Sequence, residues 1–353
     1  MKIAVGLSGG VDSAVTALLL KRAGHDVIGT TMKIWDGRKT SHAKGNACYG
    51  PDEQEDIREA FNVCKLLEIP YHVIDCSQQY NEIVLKYFDE EYRAGRTPNP
   101  CVACNEKIKF GMLPLMLEQS GVHFERFATG HYANTDFDRV IARYLLKKGK
   151  DPKKDQSYFL YRLSQTQLAK VMFPLGGYSK EQVRVLAREA KLPVHDKKES
   201  QDFYSGDYTE LLSVKNGSGA IVDTHGNFLG NHDGYCNFTI GQRKGLGVAG
   251  GVPLYVVAVR PRTNEVVLGE KELLLARGLR ATDVTIIAGT MPLRASVKTR
   301  SASDPEPCTI SFDGIELEIM FDTPHFAVTP GQSAVVYDGD MVIGGGIIKE
   351  AIL

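Results

Sequence analysis

The chain has no run of apolar residues near the roughly 20 that a membrane helix requires, so no membrane partner is expected. Its first residues, Met1-Lys2-Ile3-Ala4-Val5-Gly6, are interrupted by Gly9-Gly10 before an export signal could form, and the expected location is the cytoplasm. Charge of one sign is lacking too. Lys and Arg number 42, Asp and Glu 43, giving a formal net charge of −1. Any nucleic acid must therefore be held by local patches and not by a global field. Cysteine is scarce: seven residues, an odd number spread over a long chain, exclude a disulfide scaffold.

A chain of 353 residues exceeds one ordinary core, so two or three domains are expected. The first half alternates strand and helix patterns. Ile3 to Leu7 is a short apolar run, Val11 to Arg22 carries helical spacing, and Gly24 sits where a helix-ending glycine belongs. Val27 to Met32, Tyr71 to Asp75 and Arg126 to Gly130 read as further strands, with helices near 78–93 and 105–119. This alternation predicts an α/β domain with a doubly wound, mostly parallel sheet over 1–205. Ligands of such sheets bind at the carboxyl ends of the strands, where Ser8, Met32 and Gly130 fall. After about 205 glycines crowd and short β runs follow, among them Leu254 to Val259, Val284 to Ile287 and Ile315 to Phe321. They predict a small mixed central domain over 206–272 and an antiparallel β-barrel over 273–353.

Ser8-Gly9-Gly10-Val11-Asp12-Ser13 joins a strand to a helix. Glycines admit close approach of an anion, and the helix N-terminus offers it free N–H groups. The Gly-Lys-Ser/Thr ending of a Walker loop is absent, and so is a Gly-x-Gly-x-x-Gly dinucleotide loop. The pattern resembles the pyrophosphatase-type ATP loop of adenylating enzymes, with Asp12 as the acid that organises magnesium or pyrophosphate. A plain glycine turn is the alternative.

Pro98-Asn99-Pro100-Cys101-Val102-Ala103-Cys104-Asn105 precedes a helix running from Glu106, with Lys107 and Lys109 close by. A helix start and neighbouring lysines both lower a thiol pKa, so Cys104 reads as a nucleophile with Cys101 beside it. Half of a structural zinc site is the competing reading, but no second Cys-x-x-Cys supplies the other two ligands. Arg143, Lys147, Lys148, Lys150, Lys153 and Lys154 form a basic run suited to phosphates.

With both motifs read, the chain resembles the tRNA-specific 2-thiouridylase family over nearly its whole length. Thr129-Gly130-His131-Tyr132, Lys154-Asp155-Gln156-Ser157, Phe238-Thr239-Ile240-Gly241-Gln242-Arg243-Lys244-Gly245-Leu246 and Pro330-Gly331-Gln332-Ser333 match its signatures in order. The resemblance implies ATP-dependent adenylation of the C2 oxygen of a wobble uridine, position 34 of the Lys, Glu and Gln tRNAs. Sulfur insertion would follow, with release of AMP and pyrophosphate. Carried over by position, Gly6, Leu7, Ser8, Gly9, Gly10, Val11, Asp12, Ser13, Met32 and Gly130 would contact ATP and its Mg2+. Asn99, Pro100 and Cys101 would line the target base, and His131, Lys154, Asp155, Gln156, Arg300 and Gln332 would touch tRNA. The implied partners are tRNA and a sulfur source: a cysteine desulfurase, a sulfur-relay protein or free sulfide.

Two positions depart from the family. Its usual second cysteine lies where Lys198-Glu199-Ser200-Gln201-Asp202-Phe203-Tyr204-Ser205 puts Tyr204, and Cys101 stands where many relatives have aspartate. Either Cys101 replaces the missing thiol, so that Cys104 carries a persulfide and a Cys101–Cys104 disulfide closes the cycle, or Cys101, Cys104 and a third cysteine hold a 4Fe-4S cluster. Cys48, in the loop beyond the second strand, is the third candidate; Cys64 and Cys76 read as core. Competing classes are another adenylating enzyme with the same loop, which does not require the cysteine pair, and a non-catalytic tRNA-binding protein.

Overall fold

The computed structural model describes residues 1–38, 47–197, 202–213, 217–248 and 251–353. Its N-terminal part contains β1 (Lys2–Gly6), β2 (Asp26–Lys33), β3 (Tyr71–Asp75), β4 (Arg126–Thr129), β5 (Ala133–Asp138), β6 (Arg143–Lys148) and β7 (Val171–Met172). Five of them form a parallel sheet in the order β3-β2-β1-β4-β7. The central strand β1 hides Ile3, Ala4 and Val5 completely, each large side chain contributing about 1.5–3 kcal/mol by burial. The helix α1 (Val11–Arg22) buries residues all round its circumference, because the sheet lies on one side and the helix Lys180–Glu189 on the other. Gly24 ends it in the left-handed region at φ +81°.

The helical run over 100–119 starts earlier than its sequence suggests, since Pro100 occupies the first turn and Asn99 caps it by accepting from the Val102 N–H. Its middle, Cys104–Met112, is wound more widely, as a π-helix. The Gln167 amide donates to the carbonyls of Glu106 (2.7 Å) and Phe110 (3.1 Å) and so satisfies groups within that loosened turn.

The central part is a four-stranded mixed sheet of β8 (Gly219–Asp223), β9 (Phe228–His232), β10 (Tyr255–Arg260) and β11 (Glu265–Gly269), ordered β10-β11-β8-β9 with β8 and β11 parallel. The barrel comprises β12 (Leu275–Ile286), β13 (Arg294–Lys298), β14 (Glu306–Phe312), β15 (Leu317–Phe326), β16 (Ser333–Asp338) and β17 (Met341–Ile352). Neighbours run antiparallel, and pairing of β12 with β17 closes these six strands into a ring.

One element was not legible. Half of the basic run lies in strand β6, whose hairpin with β5 lies outside the N-terminal sheet and pairs with β17 of the barrel, Met341 opposite Lys147 and Val342 opposite Leu146. Arg143 donates to the carbonyls of Ile286 and Ile287, and Lys148 to that of Gly339. Lys147 pairs with Asp136. These three cations are therefore joints and a local ion pair, whereas Lys150 and Lys153 stay exposed.

Candidate functional site

The Ser8–Ser13 loop sits at the carboxyl end of β1, and a cavity of about 290 Å³ opens beside it. Gly6, Leu7, Ser8, Gly10, Val11, Asp12, Ser13, Met32 and Gly130, all expected nucleotide contacts, line this cavity. Gly9 does not, but its role is visible: at φ +67° an added Cβ would lie 2.6 Å from the Asp56 carbonyl oxygen. Gly130 is held to glycine by packing, since a Cβ there would come within 2.7 Å of the Asp12 carbonyl carbon. The Ser13 hydroxyl donates to the Gly10 carbonyl and accepts from the Ser8 N–H, which fixes the curl of the loop. Among the described residues no side chain caps α1, which leaves its first N–H groups to an anion.

Sequence reasoning missed two cations of this cavity, Lys180 and Lys197. Lys180, at the start of its helix, donates to both carboxylate oxygens of Asp12 at 2.7 and 2.8 Å, and the Tyr132 hydroxyl donates to one of them at 2.8 Å. Lys197 bridges Asp56 and Glu59 at the rim, and Lys109 and Lys154 complete a wall of four lysines. The Ser179 capping box marked the helix start at Lys180. Nothing local in sequence shows that this start faces Asp12, 168 positions away.

Cys48 lines the same cavity, Cys101 is half-buried and Cys104 is buried; all three are free thiols. The expected low thiol pKa is overturned. Burial pushes Cys104 up to about 11 and raises Cys101 as well, because removing a thiolate from water outweighs the nearby charge, whereas Cys48 is exposed and burial gives no reason to raise its thiol. Lys109 pulls each of the three the other way, and the thiols oppose one another's ionisation. Lys107 has no comparable influence. Tyr204 is buried in an aromatic cluster with Phe203, Tyr208 and Tyr49, its hydroxyl bonded to Glu210. The Lys198–Gln201 part of that segment lies outside the described residues.

The expected RNA contacts divide into two groups. Lys154, Gln156 and His131 line the cavity. The His131 ring is buried between Phe110 and Phe173, bonded to the Thr129 hydroxyl at 2.8 Å, and burial holds its pKa well below the usual value, so it is neutral. Asp155, Arg300 and Gln332 are not among the lining residues and are bonded within the protein. Asp155 accepts from the N–H groups of Gly149 and Ser157, and Arg300 donates to the carbonyls of Ile240 and Ala327. Asn99, Pro100 and Cys101 stand at the start of the cysteine helix.

Residues 1–204 match the family described as tRNA methyl transferase HUP domain, 210–270 its PRC-barrel domain, and 276–348 an aminomethyltransferase beta-barrel domain. Among curated proteins, the chain is 47% identical over 356 residues to the tRNA-specific 2-thiouridylase MnmA of Endomicrobium trichonymphae, covering 99% of each chain. It is 42% identical to the protein of that name from Clostridioides difficile (strain 630), again over 99% of each. To that from Geobacter metallireducens it is 44% identical, over 99% of this chain and 97% of the relative.

Proposed function

The chain belongs to the tRNA-specific 2-thiouridylase family, and we propose from that premise how its residues carry out ATP-dependent thiolation of a tRNA uridine. The observation that carries the reading is a shared wall: the cavity of the Ser8–Ser13 loop also takes in Cys48 and Lys109, and Lys109 acts on all three thiols.

The α1 N-terminus and the four lysines hold the phosphates of ATP. The uridine C2 oxygen attacks the α-phosphorus and pyrophosphate leaves; sulfur then attacks C2, and AMP departs with the former oxygen. Asp12 suits Mg2+ in the usual manner, one carboxylate alongside substrate phosphates, and Lys180 holds both of its oxygens aimed into the cavity. On the persulfide route the terminal sulfur on Cys104 attacks C2, Cys101 then cleaves the S–S bond to leave 2-thiouridine and a Cys101–Cys104 disulfide, and an external dithiol reduces that disulfide; on the alternative cluster route both cysteines are ligands instead. Asn99 and Pro100 border the entering base, which must leave the anticodon-loop stack. RNA affinity comes from exposed cations such as Lys150 and Lys153, a desulfurase or relay protein supplies sulfane sulfur on the persulfide route whereas sulfide serves only the cluster route, and the compartment is the cytosol.

Among the described residues no three His, Cys, Asp or Glu could hold a single metal ion. A 4Fe-4S cluster is a different demand, because its thiolates bind different irons around a volume; what supports that reading is Cys48 on the cavity wall and the influence of its charge on Cys101 and Cys104. Cys48, Cys101 and Cys104 would be its ligands, and when bound it would supply an open iron for sulfide.

The test is mass spectrometry of bulk tRNA from a deletion strain, with AMP release measured on purified protein. Loss of 2-thiouridine and tRNA-dependent AMP formation are expected. Normal 2-thiouridine in a strain lacking any second copy of such an enzyme would overturn the reading.

A further inference from the structure

The cysteines lie in the N-terminal domain, yet the segment that delivers them is held largely by the other two. The Tyr235 hydroxyl donates to the Arg93 carbonyl at 2.9 Å, and Pro261 packs where a Cβ on Gly95 would fall. The Thr97 N–H donates to the Pro330 carbonyl at 2.9 Å, and Gly331, at φ +91°, lies so close that an added Cβ would meet the Thr97 carbonyl oxygen at 2.8 Å. Gln332 completes the grip. Its side-chain nitrogen donates to the carbonyls of both Thr97 and Pro98 at 3.0 Å.

That pair of bonds uses both N–H groups of the Gln332 amide. RNA phosphate oxygens only accept hydrogen bonds, so a glutamine with both donors engaged has nothing to offer them. What it does offer is two fixed carbonyls immediately before Asn99 and Cys101. Pro98 and Pro100 stiffen the remaining links, so the position of Thr97 and Pro98 is transmitted to the cysteine helix with little slack.

We propose that Gln332 is a positioning residue for the cysteine segment: through Thr97 and Pro98 the barrel sets where Cys101 and Cys104 stand relative to the activated base, and Gln332 makes no essential contact with RNA. The inference rests on the thiolation reading above. It adds that the C-terminal barrel takes part in the chemical step and is more than a surface for RNA.

The experiment compares Gln332→Met, which keeps the shape and removes both donors, with Gln332→Lys, whose ammonium can donate to both carbonyls again. In free protein, without tRNA, hydrogen exchange of the 93–104 amides is expected to speed up about tenfold in Gln332→Met and to return toward wild type in Gln332→Lys. In turnover, Gln332→Met should lower kcat about tenfold with KM for tRNA within about twofold. Should Gln332→Met fold poorly, Gly331→Ala presses on Thr97 from the same side and should give the same split. A tRNA KM raised about tenfold, with exchange of 93–104 unchanged, would overturn the proposal and make Gln332 an RNA contact. These exchange data contain no tRNA and no ATP, so they separate failure of the brace from failure of the thiolation reading.

Discussion

Two segments meet at this site and are built in opposite ways. The Ser8–Ser13 loop is made by its neighbours: β1 enters it, α1 leaves it, and its internal bonds run between Ser8, Gly10 and Ser13. The segment from Asn99 to Cys104 is made by distant residues, with Gln332 fixing Thr97 and Pro98 and Asn105 bonded to the Phe159 carbonyl. The first is a device any parallel sheet can carry. The second exists only when three regions of the chain have folded together. Substitutions in the first should therefore alter nucleotide use alone, whereas those in the second should alter the sulfur step.

The sharpest break in that comparison is Cys104→Ser. A hydroxyl is a far weaker nucleophile and sulfur acceptor, so 2-thiouridine formation should fall below about a tenth of wild type while ATP still binds. Residual thiolation above that level would remove Cys104 from its role. On the other side, Asp12→Ala and Lys180→Met should each lower AMP release about a hundredfold, with tRNA affinity within about twofold. Comparable losses are expected because Lys180 holds both oxygens of Asp12. If Lys180→Met released AMP at the wild-type rate, the ion pair would be a structural link only. Gly130→Ala should be milder, raising KM for ATP about tenfold by pressing on the Asp12 backbone.

The same contrast explains what the sequence discloses. The Ser8–Ser13 loop, the parallel sheet and the closing barrel follow from adjacent residues, periodicity and glycine spacing. Lys180 escaped because its partner is 168 positions away and a lysine at a helix start is commonplace. The β5–β6 hairpin escaped because Arg143-Tyr144-Leu145-Leu146-Lys147-Lys148 draws the eye to its charge and away from its strand character. The thiol pKa was misjudged for a related reason: helix position and lysines can be counted along the chain, whereas burial by remote elements cannot.

His131 provides the finest test, because it sits beside the loop and was expected to touch RNA. Its ring is buried and neutral, with a folded pKa well below 6.5, since desolvation disfavours the charged form and Lys109 adds repulsion. In the unfolded chain the same imidazole titrates near its ordinary value, about 6.5. Below that pH the unfolded state takes up a proton that the folded state refuses, so His131 costs stability as pH falls from about 6.5 toward the folded pKa, and costs nothing above it. His131→Asn removes the titration and keeps a polar atom facing Thr129. Relative to wild type, this variant should gain about 1 kcal/mol between pH 7.5 and pH 5.5, read as a converging or crossing pair of denaturation midpoints. Its tRNA affinity at neutral pH should stay within about twofold. A stability difference that does not move with pH would mean the ring titrates in the folded protein as it does unfolded, and one that moves the other way that it is protonated there; in either case the direct RNA contact would again be the better account.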